Sequence, residues 1–198
     1  ADALPKLVVM RLLEPALRLA TSVQLRCYED KSERLLADLS LHRLDLVLSD
    51  APATPKPGAA VFNHLLGQSE VCVFAAADLA ERYQSDFPRS LNGAPFLLPT
   101  QNLALRQELD QWFDKESVCP DVRAEIEDSA LIKTFGNQRY GLFVAPVSIS
   151  EEVCRQYRVV NIGTLANVHE RFYLISAQRK LKHPALAAIL ESANVLEP

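Results

Sequence analysis

The sequence predicts an α/β fold in which a largely parallel sheet is covered by helices on both faces. Apolar periodicities of strand type and of helix type alternate along nearly the whole chain, as they do when crossover helices join parallel strands. The predicted strands at 44–48, 96–98 and 142–145 are short and mostly apolar, which is typical of strands buried on both faces. With 198 residues, 48% of them hydrophobic, the chain can also bury a substantial core.

The individual elements follow from local signals. Asp2 can cap a first helix that has Pro5 in its first turn, and apolar residues recur at helical spacing as far as Leu19. Three prolines and a glycine predict a loop over 51–60. Further helices are predicted at about 32–42, 77–84, 103–113, 129–135 and 184–193. Strands are predicted at 23–28, 44–48, 61–66, 70–76, 96–98, 122–126, 141–145, 159–162 and 172–177.

Charge and cysteine usage narrow the class of protein. The formal net charge is −4, whereas a domain that holds DNA by itself usually has a basic excess, and the densest basic stretch, 178–183, is short. No apolar run approaches the roughly 18 residues that a membrane span needs. We therefore expect a cytoplasmic protein without a secretory signal. The four cysteines lie far apart, as free thiols in a reducing compartment do: Cys27, Cys72, Cys119 and Cys154.

The sequence carries no signature of catalysis. It has no glycine-rich phosphate loop and no nucleophile elbow, and its four histidines do not have the spacing of metal ligands on a helix. Its paired acidic residues, such as those at 151–152, are better explained as solvated helix caps. We expect neither an enzyme nor a bound cofactor.

A ligand site is nevertheless predicted where strands end. In open α/β sheets, ligands bind beyond the carboxyl ends of the strands, and free helix N-termini supply N–H donors there. The predicted strand ends are Ser49, Asp50, Pro99, Thr100, Gln101, Ala145 and Pro146, and the predicted helix starts are Asp2, Ala3, Asp128 and Ser129. Ordinary capping of helices and ending of strands is the alternative explanation for these residues.

Several segments, in this order and spacing, resemble the effector-binding domain of LysR-type transcription regulators. The segments that carry the resemblance are 1–8 (ADALPKLV), 35–50 (LLADLSLHRLDLVLSD), 111–113 (QWF), 127–136 (EDSALIKTFG), 143–146 (FVAP) and 182–185 (KHPA). Arg43 departs from the family pattern, because most members carry glycine before the Leu-Asp pair. The resemblance covers essentially the whole chain and is closest to a sodium-responsive branch that controls a sodium/proton antiporter gene.

The resemblance implies a fold like that of type II periplasmic binding proteins, with two Rossmann-like lobes joined by two crossover strands. Regulatory lobe I would hold 1–72 and 169–198, and regulatory lobe II would hold 73–168. The crossovers would fall near 70–76 and 170–177. The winged helix-turn-helix that precedes this domain in the family is expected to be absent from this chain, which should therefore contact promoter DNA only through that missing part.

The resemblance also implies a sensor of an effector that binds between the lobes, at the strand ends and helix starts named above. Oxygen atoms of Asp2, Asp50, Thr100 and Asp128 could ligate Na⁺, although no metal site is certain, and an organic anion at the helix N-termini is equally compatible with the sequence. A homodimer is expected through apolar residues of the first helix, and a tetramer in the full-length protein; these residues are Val9, Leu12, Leu13 and Leu17. The alternative function is a periplasmic solute-binding protein of the same fold.

Overall fold

The computed structural model describes residues 4–54, 61–178 and 183–191. They form two compact units. The first contains the chain up to Gln68 and from Arg171 onward, and the second contains Ser69–Glu170. The chain passes from one unit to the other inside two long strands. The lobe boundaries expected from the family resemblance, at 72 and 168, stay a prediction, whereas the contacts divide the chain at 68 and 170.

The first unit is built on a short edge strand. Its elements are α1 (Lys6–Leu17), α2 (Ser32–Ser40), β1 (Val47–Ser49), the first part of β2 (Phe62–Ala76), the last part of β6 (Val159–Ser176) and α7 (Pro184–Glu191). β1 pairs antiparallel with β6, with Val47 opposite Ile175. The helix α2 packs on this pair through Leu35 and Leu39, and α1 packs against α7.

The second unit alternates strands and helices. After β2 come α3 (Ala77–Tyr83), β3 (Pro95–Pro99), α4 (Ala104–Glu116), β4 (Asp121–Ile126), α5 (Ser129–Asn137), β5 (Phe143–Pro146) and α6 (Ser150–Tyr157), with 3-10 turns at Arg89–Leu91 and Val147–Ile149. β3 runs parallel to β4, and Leu142, just before β5, forms a parallel bridge with Phe96. β5 in turn pairs antiparallel with β2.

Aromatic residues fill the core of the second unit. Phe96 of β3 is fully buried and packs edge to face against Phe113 of α4, with 5.5 Å between the ring centroids. Trp112 packs against the same Phe113 ring at 5.6 Å. The neighbours of Phe96 along β3, Leu97 and Leu98, are also buried. This strand is therefore buried on both faces, which confirms the interpretation of its continuous apolar run.

The structure corrects several predicted elements. No strand forms at 23–28, and the strand predicted at 44–48 is limited to β1. Residues 62–76 form one strand rather than two, and so do residues 159–176. The sheet is not largely parallel, since β1 and β5 pair antiparallel with their neighbours. Finally, α6 was not among the predicted helices, and the proposed cap Asp2 lies outside the described residues.

The close approach of α5 to β5 depends on Gly136, and this gives a test of the packing. A Cβ atom at Gly136 would lie 2.2 Å from the ring of Phe143, which is fully buried. We expect Gly136→Ala to lower the free energy of unfolding by about 1–3 kcal/mol, because the ring cannot move away without straining the core. Urea denaturation measures this, with the exposed Gln138→Ala as the control in the same region. Equal stability of the two variants would contradict the packing.

Candidate functional site

The strand ends of the second unit meet at one edge of its sheet. β3 and β4 are parallel, with a register shift between Phe96 and Leu97, and Pro99 lies opposite Ile126 at their ends. Next to β3 on its other side, the N–H of Leu97 donates to the carbonyl of Leu142 at 2.8 Å, which aligns β5 with it. The segments that follow the strands are therefore neighbours. We call them together the carboxyl edge, which consists of 100–102, 127–129 and 146–148.

Thr100 is the first residue after β3, and the environment of its hydroxyl group is unusual. Its Oγ1 atom is buried and has no hydrogen-bond partner in the part of the chain that the structure describes. An unpaired buried hydroxyl costs about 1–3 kcal/mol relative to a paired one. A partner supplied by a bound molecule would remove that cost, so Thr100 is a candidate for contact with a ligand at this edge.

Asp128 begins α5 as its N-cap. Its Oδ1 atom accepts hydrogen bonds from the N–H groups of Ala130, at 2.7 Å, and Leu131, at 3.4 Å. This confirms the helix start predicted there. The side chain of Asp128 is exposed, so its charge can also reach a molecule at the carboxyl edge.

Two titratable residues lie close to the start of α5, and neither was predicted from the sequence. Lys133 is buried, with 5% of its surface exposed, and its Nζ donates to the carbonyl of Ser129 at 3.0 Å. Tyr157 lies at the end of α6. Its partial burial and the negative charge of Asp128 raise the pKa of its phenol. A lysine, a tyrosine and a carboxylate thus surround the first turn of α5.

Arg106 of α4 holds the ends of β3 and β4 together. Its Nη1 donates to the carbonyl of Pro99 at 2.9 Å and to Oε1 of Glu125 at 2.6 Å, and its Nε donates to Asp110 at 2.8 Å. Burial by itself lowers the pKa of Arg106, but the hydrogen bonds and charges of Asp110 and Glu125 outweigh it and raise that pKa. A second tie between the same strand ends runs from Asn102 to Glu127 at 3.1 Å.

The third strand end, Ala145–Pro146, is buried and lies against β2. Cys72 is opposite Ala145, and its thiol contacts the Ala145 carbonyl at 3.7 Å. Burial raises the pKa of the Cys72 thiol to about 12. Beyond the strand end, the N–H of Ser148 donates to Oγ of the buried Ser69 at 3.0 Å. Pairing with β2 therefore holds this strand end in place, and the raised pKa keeps the Cys72 thiol protonated at neutral pH.

The remaining predicted effector residues are distributed as follows. Gln101 is exposed, and Ser129 is half-buried beside Asp128 in the second unit. Ser49 and Asp50 belong to the first unit, where Ser49 Oγ accepts from the N–H of Ala51 at 3.3 Å. Asp2 and Ala3 lie outside the described residues. The second unit therefore gathers the residues after β3, β4 and β5, whereas Ser49 and Asp50 belong to the first unit.

The residues predicted to form a dimer interface do not share one exposed face. Leu12 is 1% exposed and is buried in the core of its own unit, so it is not accessible to a partner. Val9 and Leu13 are half-buried and line an open pocket of the first unit. Leu17 is 59% exposed, as is Met10 at 51%. Helical periodicity alone does not show which apolar face points inward, so Leu12 is excluded by its burial and the interface otherwise stays a prediction.

Neither a membrane-spanning helix nor a cluster of metal-binding side chains occurs among the described residues. None of their helices has the length and apolar character that crossing a bilayer requires. Across the ranges 4–54, 61–178 and 183–191, no group of three or more histidine, cysteine, aspartate or glutamate residues could hold a metal ion.

Comparison with known protein families identifies the family to which this chain belongs. Residues 1–194 match the model of the LysR substrate binding domain. The chain therefore belongs to that family, as its motifs predicted.

Two curated relatives are more specific. The chain is 32% identical over 189 residues to the transcriptional activator protein NhaR of Escherichia coli (strain K12), and equally to NhaR of Shigella flexneri. These matches cover 96% of this chain but only 62% of each relative. The chain thus corresponds to part of the length of these relatives.

Solved structures of the same fold have low sequence identity. The OxyR2 regulatory domain of Vibrio vulnificus, as its sulfate-bound E204G mutant, matches with a TM-score of 0.75 and 13% identity, covering 99% of this chain and 92% of that one. The effector binding domain of QuiR in complex with shikimate matches with a TM-score of 0.68 and 18% identity, covering 93% and 88%. These similarities confirm the predicted two-lobed fold class.

The contribution of Arg106 to stability can be compared with that of an exposed ion pair, Arg123 with Asp121. We expect Arg106→Met to lower the free energy of unfolding by about 1–3 kcal/mol, because the Pro99 carbonyl and the Glu125 carboxylate lose a buried donor. Arg123→Met breaks an ion pair with Asp121 in which both side chains are at least half exposed, so it should cost less than about 1 kcal/mol. Urea denaturation near pH 7 compares them, and equal losses would contradict the role of Arg106.

The raised pKa of Cys72 predicts its reactivity. The Cys72 thiol is buried, and at pH 8 it is protonated because its pKa of about 12 lies far above the solution pH. Iodoacetamide should therefore alkylate Cys27 and Cys119, which are exposed, and leave Cys72 unmodified until the protein unfolds. Mass spectrometry of peptides taken over time gives the rates. Modification of Cys72 in the folded protein at the rate of Cys119 would refute the assignment.

Proposed function

We propose that this chain is the effector-sensing domain of a LysR-type transcriptional activator and that the carboxyl edge of the second unit contacts the effector. The observation that carries the proposal is the buried Oγ1 atom of Thr100, which has no partner within the described residues. It lies where the ends of three strands converge, and ligands of open α/β sheets bind at such ends. Family membership supports the sensing role.

The proposed stimulus is sodium, and the proposed target is a sodium/proton antiporter gene. The support is the sequence resemblance to the sodium-responsive branch of the family and the 32% identity to the activator NhaR. Direct ligation of Na⁺ would use oxygen atoms. The carboxyl edge offers oxygen atoms of Thr100 and Asp128, and Asp2 and Asp50 are the other two predicted ligands. The alternative effector is an organic anion, for which Lys133, Tyr157 and backbone N–H groups are the fitting partners.

Sensing requires that the effector binds two arrangements of the protein with different affinity, because only that difference can shift their equilibrium. We propose that the whole protein converts this shift into activation through a separate DNA-binding part and a tetramer. A homodimer of this domain is part of the proposal. The exposed apolar side chains of Met10 and Leu17 on α1 support it. These statements concern a longer protein than the present chain.

A periplasmic solute-binding protein would share the fold and the site. The two curated relatives are transcriptional activators, and this favours the regulator. A cytoplasmic location follows from the regulator proposal. No feature of the described residues favours the solute-binding alternative.

Thr100→Val is the most informative test, because it removes the hydroxyl but keeps the shape of the side chain. Since the hydroxyl has no partner in the described structure, its loss should leave the free energy of unfolding unchanged or slightly raised. We expect it to abolish induction by NaCl of a reporter gene controlled by the whole regulator. Thr134→Val is the control, because the Thr134 hydroxyl donates to the Ala130 carbonyl on the exposed face of α5. Full induction by Thr100→Val would refute the site.

Asp128→Ser then separates the two classes of effector. Serine still caps α5, so stability should change by well under the roughly 1 kcal/mol that a lost cap costs. If a cation binds at Asp128, the variant loses induction. If an anion binds, induction is kept or strengthened because a repelling carboxylate is gone. Melting of the purified protein in NaCl against equal KCl checks direct binding of sodium.

A further inference from the structure

The buried side chain of Arg106 is the contact through which α4 reaches the ends of two neighbouring strands. Arg106 lies in the first turn of α4. On β3, its Nη1 donates to the carbonyl of Pro99, the residue directly before Thr100. On β4, the same Nη1 donates to Oε1 of Glu125, three residues before Asp128. One guanidinium therefore connects the two strands that lead into the candidate effector site.

The backbone of Thr100 is held on both sides. The carbonyl that precedes it belongs to Pro99 and accepts from Arg106. Its own carbonyl accepts from the N–H of Leu103 at 3.1 Å. These two hydrogen bonds fix the peptide groups that flank the Thr100 Cα atom, while the Oγ1 atom stays buried without a partner among the described residues. A hydroxyl held in this way is in place before a ligand arrives, so binding does not have to order it.

The charge of Arg106 is already balanced within the protein. Its Nε donates to Asp110 at 2.8 Å, so two carboxylates face the one guanidinium, those of Asp110 and Glu125. The arginine side chain is also buried, which leaves little of its surface for another molecule. Arg106 is therefore placed to act on the site through the backbone next to Thr100 and not by touching the effector.

The two carboxylates that face Arg106 differ in what they connect. Asp110 belongs to α4 and lies four residues after Arg106, so their contact stays within one helix. Glu125 belongs to β4, so its contact runs from the helix to a strand end. In exposure the two side chains are alike, with 50% of Asp110 and 41% of Glu125 accessible to solvent. Of the two contacts, the one to Glu125 joins the ends of β3 and β4.

We propose that Arg106 is a positioning residue, which holds the Thr100 hydroxyl in a fixed place relative to the segment 127–129 and thereby sets the affinity for the effector. The inference rests on the proposed function, because it requires that the effector contacts Thr100. Hydrogen bonds weaken steeply when their distance and angle depart from the optimum, so a small displacement of the hydroxyl lowers affinity. A second hydrogen bond between these segments, from Asn102 to Glu127, is exposed and competes with water.

Two carboxylate variants of the whole regulator test the proposal, with reporter induction measured over a series of NaCl concentrations against equal KCl. Glu125→Ala should raise the NaCl concentration for half-maximal induction about three- to tenfold, the range that corresponds to one weakened hydrogen bond. Asp110→Ala is the matched control, because it takes a carboxylate of similar exposure from the same guanidinium and leaves both strand ends connected. It should shift that concentration less than about twofold.

Arg106→Lys gives a second readout that leaves both carboxylates in place. Lysine keeps the positive charge, but its ammonium group does not reproduce the rigid fork that holds acceptors on α4, β3 and β4 together. The proposal expects a shift like that of Glu125→Ala. A wild-type response of Arg106→Lys would show that only the charge matters and would overturn the proposal.

The remaining outcomes separate this inference from the proposed function. Equal responses of Glu125→Ala and Asp110→Ala overturn the role of Arg106. A lower maximum without a shift in the half-maximal concentration also overturns it, because that is the effect of less folded protein. If Thr100→Val abolishes induction while Glu125→Ala leaves it unchanged, the effector site stands and only the positioning role is wrong. Full induction by Thr100→Val refutes the site and this inference with it.

Discussion

The carboxyl edge exists because β3 is bonded in parallel on both sides. Its register with β4 places Pro99 opposite Ile126, and its bonds to Leu142 align it with β5. Parallel strands end on the same side of a sheet, so the three segments that follow must be neighbours. Arg106 connects two of these ends through hydrogen bonds to the Pro99 carbonyl and to the partly exposed Glu125 carboxylate. The position of Thr100, and with it the candidate site, depends on this arrangement.

The sequence was most informative where one chemical signal dominated. The continuous apolar run of β3 predicted a strand buried on both faces, and Asp128 before an amphipathic segment predicted a helix start. Both are confirmed. The direction of strand pairing could not be predicted from the sequence, because antiparallel partners such as β2 and β5 lie some seventy residues apart. The segment 23–28 shows the same limit, since a strand pattern forms a strand only when a partner is present.

Site residues were predictable only where strand ends identify them. Thr100 follows β3 directly and Asp128 begins α5, so general rules for α/β sheets select both as candidates, and their contact with an effector stays a prediction. Lys133 was missed because a helical pattern favours burial of apolar residues, and yet Lys133 is buried while Phe135, two positions later, is 37% exposed. Tyr157 and Arg106 contribute through tertiary contacts that no spacing reveals. Leu12 of α1 was placed at a partner surface for the related reason that periodicity does not show which apolar face lies in the core.

The capping role of Asp128 limits how strongly any cation could be held there. Its Oδ1 atom already accepts two backbone N–H groups, and an ion that drew the carboxylate away would leave both without a partner. Losing such a cap costs about 1 kcal/mol, which weakens binding roughly fivefold. Ion binding would then loosen the first turn of α5 as it occurs. Selectivity at this position would thus depend on whether the ion can share the carboxylate with the helix, and a small ion that uses the second oxygen is best suited to do so.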